Sequence, residues 1–141
     1  GSGQHYEAHL LKNVKSYDNS SVIYAYDKAP LNTVEMSDST LQAVKEGMHN
    51  LTTGSLSYYF SNCVVSAGAK TGTAETGIAN TNNGVFVCFA PYDDPQIAVA
   101  VVIEKGGSGA ALASTAVDIV NSYFSQEEIG AVIIGENTLL K

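Results

Sequence analysis

The sequence predicts an α+β fold in which helices flank an antiparallel sheet. Three segments, near residues 70–75, 84–91 and 96–104, have the length and composition of strands. The connections between them are short, and short connections join antiparallel neighbours because parallel strands need a long crossover. Apolar residues recur at helical spacing near residues 38–51 and 109–124, which predicts two flanking helices.

The last two predicted strands carry the most apolar stretches of the chain. A hairpin signal at residues 82–84 leads into the segment 84–91, and a turn signal at residues 93–95 leads into the segment 96–104. These turns place 84–91 between the other two strands. Because both segments are apolar on both faces, we expect helices to cover both sides of the sheet.

Local signals mark how the two helices begin. Ser37 or Asp38 is the expected N-cap of the first helix, and a glycine-rich turn containing Ser108 opens the second. Gly47 lies inside the first helix, where it lowers stability unless another backbone packs against it. His49, on the same helix, is expected to be solvated.

The N-terminal segment has the pattern of a half-exposed hairpin. Residues 5–17 and 20–27 have the composition of strands, and the polar turn 18–20 separates them. On such a strand His5 and His9 fall on one face. Two histidines are too few ligands for a typical zinc site, so we expect ordinary surface residues.

Composition and charge exclude several classes of function. The chain of 141 residues is one domain's length or a piece of a larger domain, and its 45% hydrophobic content supports a packed core. The net charge is −7 and none of the seven basic residues is arginine, so nucleic acid is not an expected partner. The sequence shows no signal peptide, membrane-spanning run, cofactor motif or metal motif. Residues 1–3, Gly-Ser-Gly, are compatible with a remnant of cloning.

The two cysteines are expected to be free thiols. If the first hairpin turns near Ala79 and Asn80, Cys88 lies opposite roughly Thr71. Cys63 precedes Thr71 by eight residues. Along an extended strand that separation is too long for a disulfide.

The segment Lys70 to Thr73 reads Lys-Thr-Gly-Thr and offers one ammonium and two hydroxyls. Alternation along a strand puts Thr71 and Thr73 on one face and Lys70 on the other, unless twist brings the lysine tip around. Gly72 lets a ligand backbone lie against the strand. Unpaired N–H groups at a strand edge can bind an extended peptide or a developing oxyanion. By itself the pattern favours an ordinary polar edge strand, because short motifs often occur without the function.

The wider sequence resembles one known family. Lys-Thr-Gly is a signature of serine β-lactamases and penicillin-binding proteins, and "AKTGTAET" is similar to the form found in class B, high-molecular-weight penicillin-binding proteins. The resemblance covers roughly residues 5–124, through the ordered segments "HYEAHLLKNVKS", "LQAVKEGMHNLT" and "FAPYDDPQIAVAVVIEKGGSGAALASTAVDIVNSYF". It implies part of the serine β-lactamase and penicillin-binding-protein transpeptidase fold.

The resemblance also implies an activity. Such enzymes cross-link peptidoglycan stem peptides through an acyl-serine intermediate, use no cofactor and are inhibited by β-lactams. By the family pattern, Lys70 supplies positive potential near the nucleophile. The hydroxyls of Thr71 and Thr73 bind the substrate carboxylate, the Thr73 N–H forms half of the oxyanion hole, and Gly72 permits close approach.

The sequence departs from the family at the nucleophile. No serine begins the family motifs Ser-x-x-Lys or Ser-x-Asn, and Ser66 stands four residues before Lys70 rather than three. We therefore expect residues 1–141 to be a single C-terminal fragment of a transpeptidase domain, inactive alone. Its missing partner is the upstream part of the domain. The parent is expected at the extracytoplasmic face of the cell membrane, held by an N-terminal helix.

Two other functions fit the same residues: a non-enzymatic β-lactam sensor or scaffold of this fold, and an unrelated peptide-binding α+β domain. A further expectation concerns the apolar strand 96–104, whose outer edge would lack a partner. Either a tail strand at Ala131–Ile134 covers that edge, or two chains associate through it.

Overall fold

The computed structural model describes residues 3–26, 29–78 and 81–132 of the chain. The chain divides into two compact units, Gly1–Leu41 and Gln42–Lys141. No helix in the described residues is long and apolar enough to cross a bilayer.

The first unit contains two small antiparallel ladders. Strand β2 (Asn13–Lys15) pairs with β3 (Val22–Ala25), which confirms the predicted hairpin. Strand β1 (Gln4–His5) pairs with β4 (Asn32–Thr33), which the sequence did not predict. The expected continuous strand over residues 5–17 is wrong, because His5 pairs with β4 while the hairpin begins only at Asn13.

The end of β1 at His5 separates the two histidines, which the sequence placed on one strand. His5 lies in β1, whereas His9 lies outside any strand, so the two do not share a strand face. Both are exposed. The ring of His9 stacks on Tyr26 with 3.5 Å between centroids. In the described residues no group of three or more histidines, cysteines and carboxylates could hold a metal.

The second unit is the α+β layer that the sequence predicts. Its elements are α1 (Asp38–Thr53, which begins within the first unit), α2 (Ser57–Phe60), β5 (Gly68–Glu75), β6 (Asn82–Ala90), β7 (Ile97–Ile103) and a 3₁₀ turn (Gly109–Leu112) that continues into α3 (Ala113–Val132). The three strands form one antiparallel sheet in the order β5-β6-β7, which confirms the predicted order.

One face of the sheet forms the core with α3. Alternate β6 residues point to this face, and Phe86 is fully buried there. The other members of the core are small or branched side chains from the sheet, the 3₁₀ turn, α3 and the chain between α1 and α2: Leu56, Ala67, Ala69, Cys88, Ala90, Val99, Leu112, Ala113, Ala116 and Val120. Small residues on α3 let the helix lie close to the strands.

The opposite face is covered only at one end. There Lys45 of α1 lies over the ring of Phe89, 5.9 Å from its centroid. Further along, Val87 is 38% exposed and Val102 is 64% exposed. The expectation that helices cover both faces is therefore wrong for most of this face in the described residues.

The structure decides three local expectations, two about α1 and one about the tail. Ser37 is the cap of α1, since its Oγ accepts a hydrogen bond from the Thr40 N–H at 3.2 Å. In the part of the chain that the structure describes, nothing lies within 4 Å of a methyl group placed on Gly47, so this glycine makes no close approach there. The tail strand expected at Ala131–Ile134 is wrong for its first two residues, which belong to α3, and the rest lies outside the described residues.

The cysteine register also differs from expectation. Cys88 pairs with Ala69 rather than Thr71, because the hairpin turns one residue earlier than the sequence suggested. Cys63 is not held away by an extended strand, since β5 begins only at Gly68, and it packs against the core. Burial raises the pKa of the Cys88 thiol to about 11, and neighbouring Cys63 adds to the rise. Both thiols are free.

Candidate functional site: the open edge of β5

The Lys-Thr-Gly-Thr residues lie in the middle of β5, at the edge of the sheet. Among the described strands, β5 has a neighbour on one side only. Across that side Thr71 pairs with Phe86, Gly72 with Val85, and Thr73 with Gly84. The other side presents backbone groups that no strand of the described sheet occupies.

The position of Gly109 shows which backbone groups face the open edge. A methyl group on Gly109 would lie 2.2 Å from the Gly72 carbonyl oxygen and 2.3 Å from the Val85 carbonyl oxygen. If these two carbonyls pointed away from each other, to the outer sides of β5 and β6, one atom could not lie so close to both oxygens. Both oxygens therefore lie between β5 and β6, and Gly72 and Val85 are a hydrogen-bonded pair. Antiparallel pairing alternates, and therefore the N–H and C=O groups of Thr71 and Thr73 point to the open edge.

The far end of the hairpin agrees with this alternation. The Gly107 N–H donates to the Asn82 carbonyl oxygen at 2.9 Å. Gly107 follows β7, so the Asn82 carbonyl points away from β5. Asn82 pairs with Glu75, two residues after Thr73 in β5 and therefore of the same alternation class.

The motif side chains lie on both faces of the strand, as alternation predicts. Thr71 and Thr73 are paired with Phe86 and Gly84, which are buried on the α3 face. Lys70 belongs to the other face and is exposed. Its Nζ donates to the Thr71 carbonyl oxygen, so the ammonium reaches the open edge.

The motif therefore concentrates donors along one edge. The Thr73 N–H and the Lys70 ammonium are both directed there, in a chain whose net charge is −7. The Thr73 hydroxyl oxygen accepts from the Gly109 N–H at 3.5 Å, a long contact that leaves the hydroxyl proton free to donate. Such an edge can bind an extended peptide, a carboxylate or an oxyanion.

Two serines near the motif have structural roles. The Ser66 Oγ accepts from the Tyr92 N–H at 3.3 Å. The Ser108 Oγ accepts from the Ala110 N–H at 3.3 Å and caps the 3₁₀ turn. In neither contact does the hydroxyl meet a general base of the kind that activates a nucleophile.

The start of β5 is anchored by two residues whose role the sequence did not reveal. Thr52 is only 4% exposed, and its Oγ1 donates to the Ala67 carbonyl oxygen at 2.7 Å. His49, expected to be solvated, is partly buried and stacks on Tyr92 with 4.3 Å between centroids. Its Nδ1 lies 3.0 Å from the same carbonyl and therefore carries the proton. Only tertiary contacts reveal these anchors.

We expect Thr52→Val to destabilise the chain by about 0.5–1.5 kcal/mol, because it removes one of the two donors to the buried Ala67 carbonyl while keeping the side-chain shape. Thr53→Val is the matched control, since the Thr53 side chain is exposed and its hydroxyl bonds within the helix to His49. Urea unfolding followed by circular dichroism measures both. Equal midpoints for the two variants would contradict the anchoring role.

Comparison with known proteins places this geometry in a family. Residues 2–123 match the penicillin binding protein transpeptidase domain. Penicillin-binding protein 2B of Streptococcus pneumoniae is 38% identical over 109 residues, which are 66% of this chain and 15% of that protein. The peptidoglycan D,D-transpeptidase MrdA of Escherichia coli is 31% identical over 88 residues, 50% of this chain and 14% of that protein.

Solved structures give the same assignment. Penicillin-binding protein 2B from Streptococcus pneumoniae superimposes with a TM-score of 0.64 at 30% identity, over 79% of this chain and 20% of that chain. The D,D-transpeptidase domain of a peptidoglycan glycosyltransferase from Eggerthella lenta gives a TM-score of 0.71 over 91% of this chain and 30% of that chain. At 23% identity the latter supports the fold alone. The chain therefore belongs to the penicillin-binding protein transpeptidase family, in the class B group that its sequence resembles.

Proposed function

We propose that this chain is the C-terminal part of a class B transpeptidase domain and supplies one wall of a peptidoglycan D,D-transpeptidase site. The observation that carries the proposal is the open edge of β5, where the Thr73 N–H and the Lys70 ammonium converge. The relatives named D,D-transpeptidase or penicillin-binding protein support the reaction class.

In the proposed reaction, a serine from the upstream part attacks the penultimate D-Ala carbonyl of a stem peptide. The carbonyl carbon gains a bond to the serine oxygen, and the oxyanion accepts a hydrogen bond from the Thr73 N–H. Collapse of the intermediate expels D-alanine, and the amine of a second stem peptide then displaces the serine. The Lys70 ammonium stabilises negative charge as it develops. β-Lactams would acylate the same serine.

The substrate carboxylate needs its own donors. The Thr73 hydroxyl retains its proton for this purpose while its oxygen accepts from Gly109. Thr71 lies on the same face and is half-buried, so its hydroxyl would complete the binding. Gly72, which lacks a side chain, would let the substrate backbone lie against the strand.

The upstream part of the domain is the proposed partner of the exposed sheet face. Val87 and Val102 form an apolar surface there, which a soluble domain normally covers. We place the complete protein at the extracytoplasmic face of the bacterial membrane, where its peptidoglycan substrate lies.

The test is a complete domain in which this chain follows an upstream part containing Ser-x-x-Lys. We expect labelling by fluorescent penicillin and release of D-alanine from a stem peptide that ends in D-Ala-D-Ala. Labelling without D-alanine release would favour the sensor or scaffold. If a folded complete domain shows neither, the proposal fails.

The chain without its upstream part is expected to self-associate through β7. This strand is the other edge of the sheet, and Val102 and Ile103 are exposed on it. Natural proteins protect such edges with charge, so Val102→Lys should yield a monomer in sedimentation velocity. Val44→Lys, at an exposed position on α1, is the control and should leave the dimer intact. A monomeric wild type at high concentration would contradict the expectation.

A further inference from the structure

The turn that precedes α3 packs directly on the backbone of the candidate site. Gly109 is buried, and its Cα faces the hydrogen-bonded pair Gly72–Val85. A methyl group there would lie 2.2 Å from the Gly72 oxygen, 2.3 Å from the Val85 oxygen and 2.9 Å from the Gly72 nitrogen. These are backbone atoms, which cannot rotate aside as a side chain could. An added methyl group must therefore displace the turn or the strand.

We propose that Gly109 is a positioning residue for the oxyanion-binding edge, a proposal that rests on the proposed function. Its missing side chain lets the turn lie flat on β5 and β6. Its N–H also contacts the Thr73 hydroxyl. Through both contacts it sets where the Thr73 N–H points. This role requires both contacts, the steric one on the backbone and the hydrogen bond with an N···O distance of 3.5 Å.

Three glycines neighbour the backbone of Thr73, which supports the proposal. Gly72 precedes Thr73, and Gly84 faces it on β6. Gly109 lies against the backbone of Gly72. A methyl group on Gly84 would meet the Leu112 side chain at 3.2 Å, so the turn and the strands are in close contact at a second point. The backbone around Thr73 is thus closely packed between β6 and the turn.

The turn itself is held in place by hydrogen bonds that do not involve β5. Ser108 caps it through the Ala110 N–H, and the Gly107 N–H donates to the Asn82 carbonyl. With those hydrogen bonds retained, a substituent at Gly109 would push on β5, which has no second strand neighbour among the described residues. Displacement of a catalytic group by about 1 Å can cost on the order of a hundredfold in rate.

The test compares Gly109→Ala with Gly107→Asn in the complete domain. Gly107 lies in the same turn, and no atom of the described residues lies within 4 Å of its Cβ position. Its φ of +72° is a conformation that asparagine tolerates. For benzylpenicillin, Gly109→Ala should lower the acylation rate constant k2 by about tenfold to a hundredfold. The dissociation constant of the preceding complex should change much less. Gly107→Asn should leave both near their wild-type values.

A second arm does not depend on acylation. In the 141-residue chain, amide exchange at Gly109 should become faster in Thr73→Val, which lacks the hydroxyl, and remain protected in Thr73→Ser. This arm gives a result even if Gly109→Ala does not fold. Wild-type k2 in a folded Gly109→Ala domain, or unchanged Gly109 exchange in Thr73→Val, would overturn the proposal. A wild-type domain that penicillin does not acylate would instead refute the proposed function.

Discussion

Incubated with excess benzylpenicillin, the 141-residue chain is expected to gain no mass. Acylation needs a serine activated by a neighbouring base, and no serine here is followed by lysine three residues later. Ser66 and Ser108, which lie nearest to the motif in sequence or space, accept backbone hydrogen bonds. Intact-protein mass spectrometry measures the result directly.

Non-covalent binding should also be weak. The open edge offers a few hydrogen bonds, each worth about 0.5–1.5 kcal/mol net. Association costs several times that in lost translational and rotational freedom, on the order of 4–15 kcal/mol. The complete domain is the positive control and should gain the mass of one drug molecule. An adduct mapped to any serine of the chain alone would show that the nucleophile lies within these residues.

In the complete domain, Lys70→Ala should slow acylation by benzylpenicillin about a hundredfold or more. Removal of one electrostatic donor from an oxyanion-type site costs about 2.7–4 kcal/mol of barrier. The Lys70 ammonium lies at the edge where the oxyanion and carboxylate would bind. Stopped-flow or quench kinetics give the rate constant.

Folding should barely respond to the same change. Lys70 is exposed, and surface substitutions usually alter stability by about 0.5 kcal/mol or less. Lys12→Ala is the matched control, because it removes an exposed lysine from the first unit. It should acylate at the wild-type rate. Equal rates for Lys70→Ala and wild type would refute the proposed role of the ammonium.

The sequence by itself determined the two long helices and the three strands of the second unit, and the strand order. It did not predict the short helix α2, because the segment 52–68 has no regular apolar period. Short turns permit only antiparallel neighbours, and the periodicity of α1 and of the helix that begins near residue 109 is a local property of the chain. The Lys70–Thr73 motif can also be read without coordinates. Because side chains alternate along a strand, the sequence also predicted which of them share a face.

The sequence failed where contacts between distant residues decide the outcome. Residues 5–17 have strand composition, but pairing with Asn32–Thr33 takes His5 away from the hairpin. His49 has the appearance of a solvated helix residue, yet the Ala67 carbonyl and the Tyr92 ring bury part of it. Periodicity along one segment carries no information about such partners.

Only the tertiary structure could direct the Thr73 N–H to the open edge. That direction depends on which strand residues form hydrogen-bonded pairs, and a shift of one residue in pairing would reverse it. The sequence suggested that Cys88 faces Thr71, whereas the fold pairs it with Ala69. The packing of Gly109 on Gly72 likewise joins residues far apart in the chain. The sequence supplied the chemical groups, whereas the pairing of β5 with β6 and the close packing of the turn on the sheet fixed where they point.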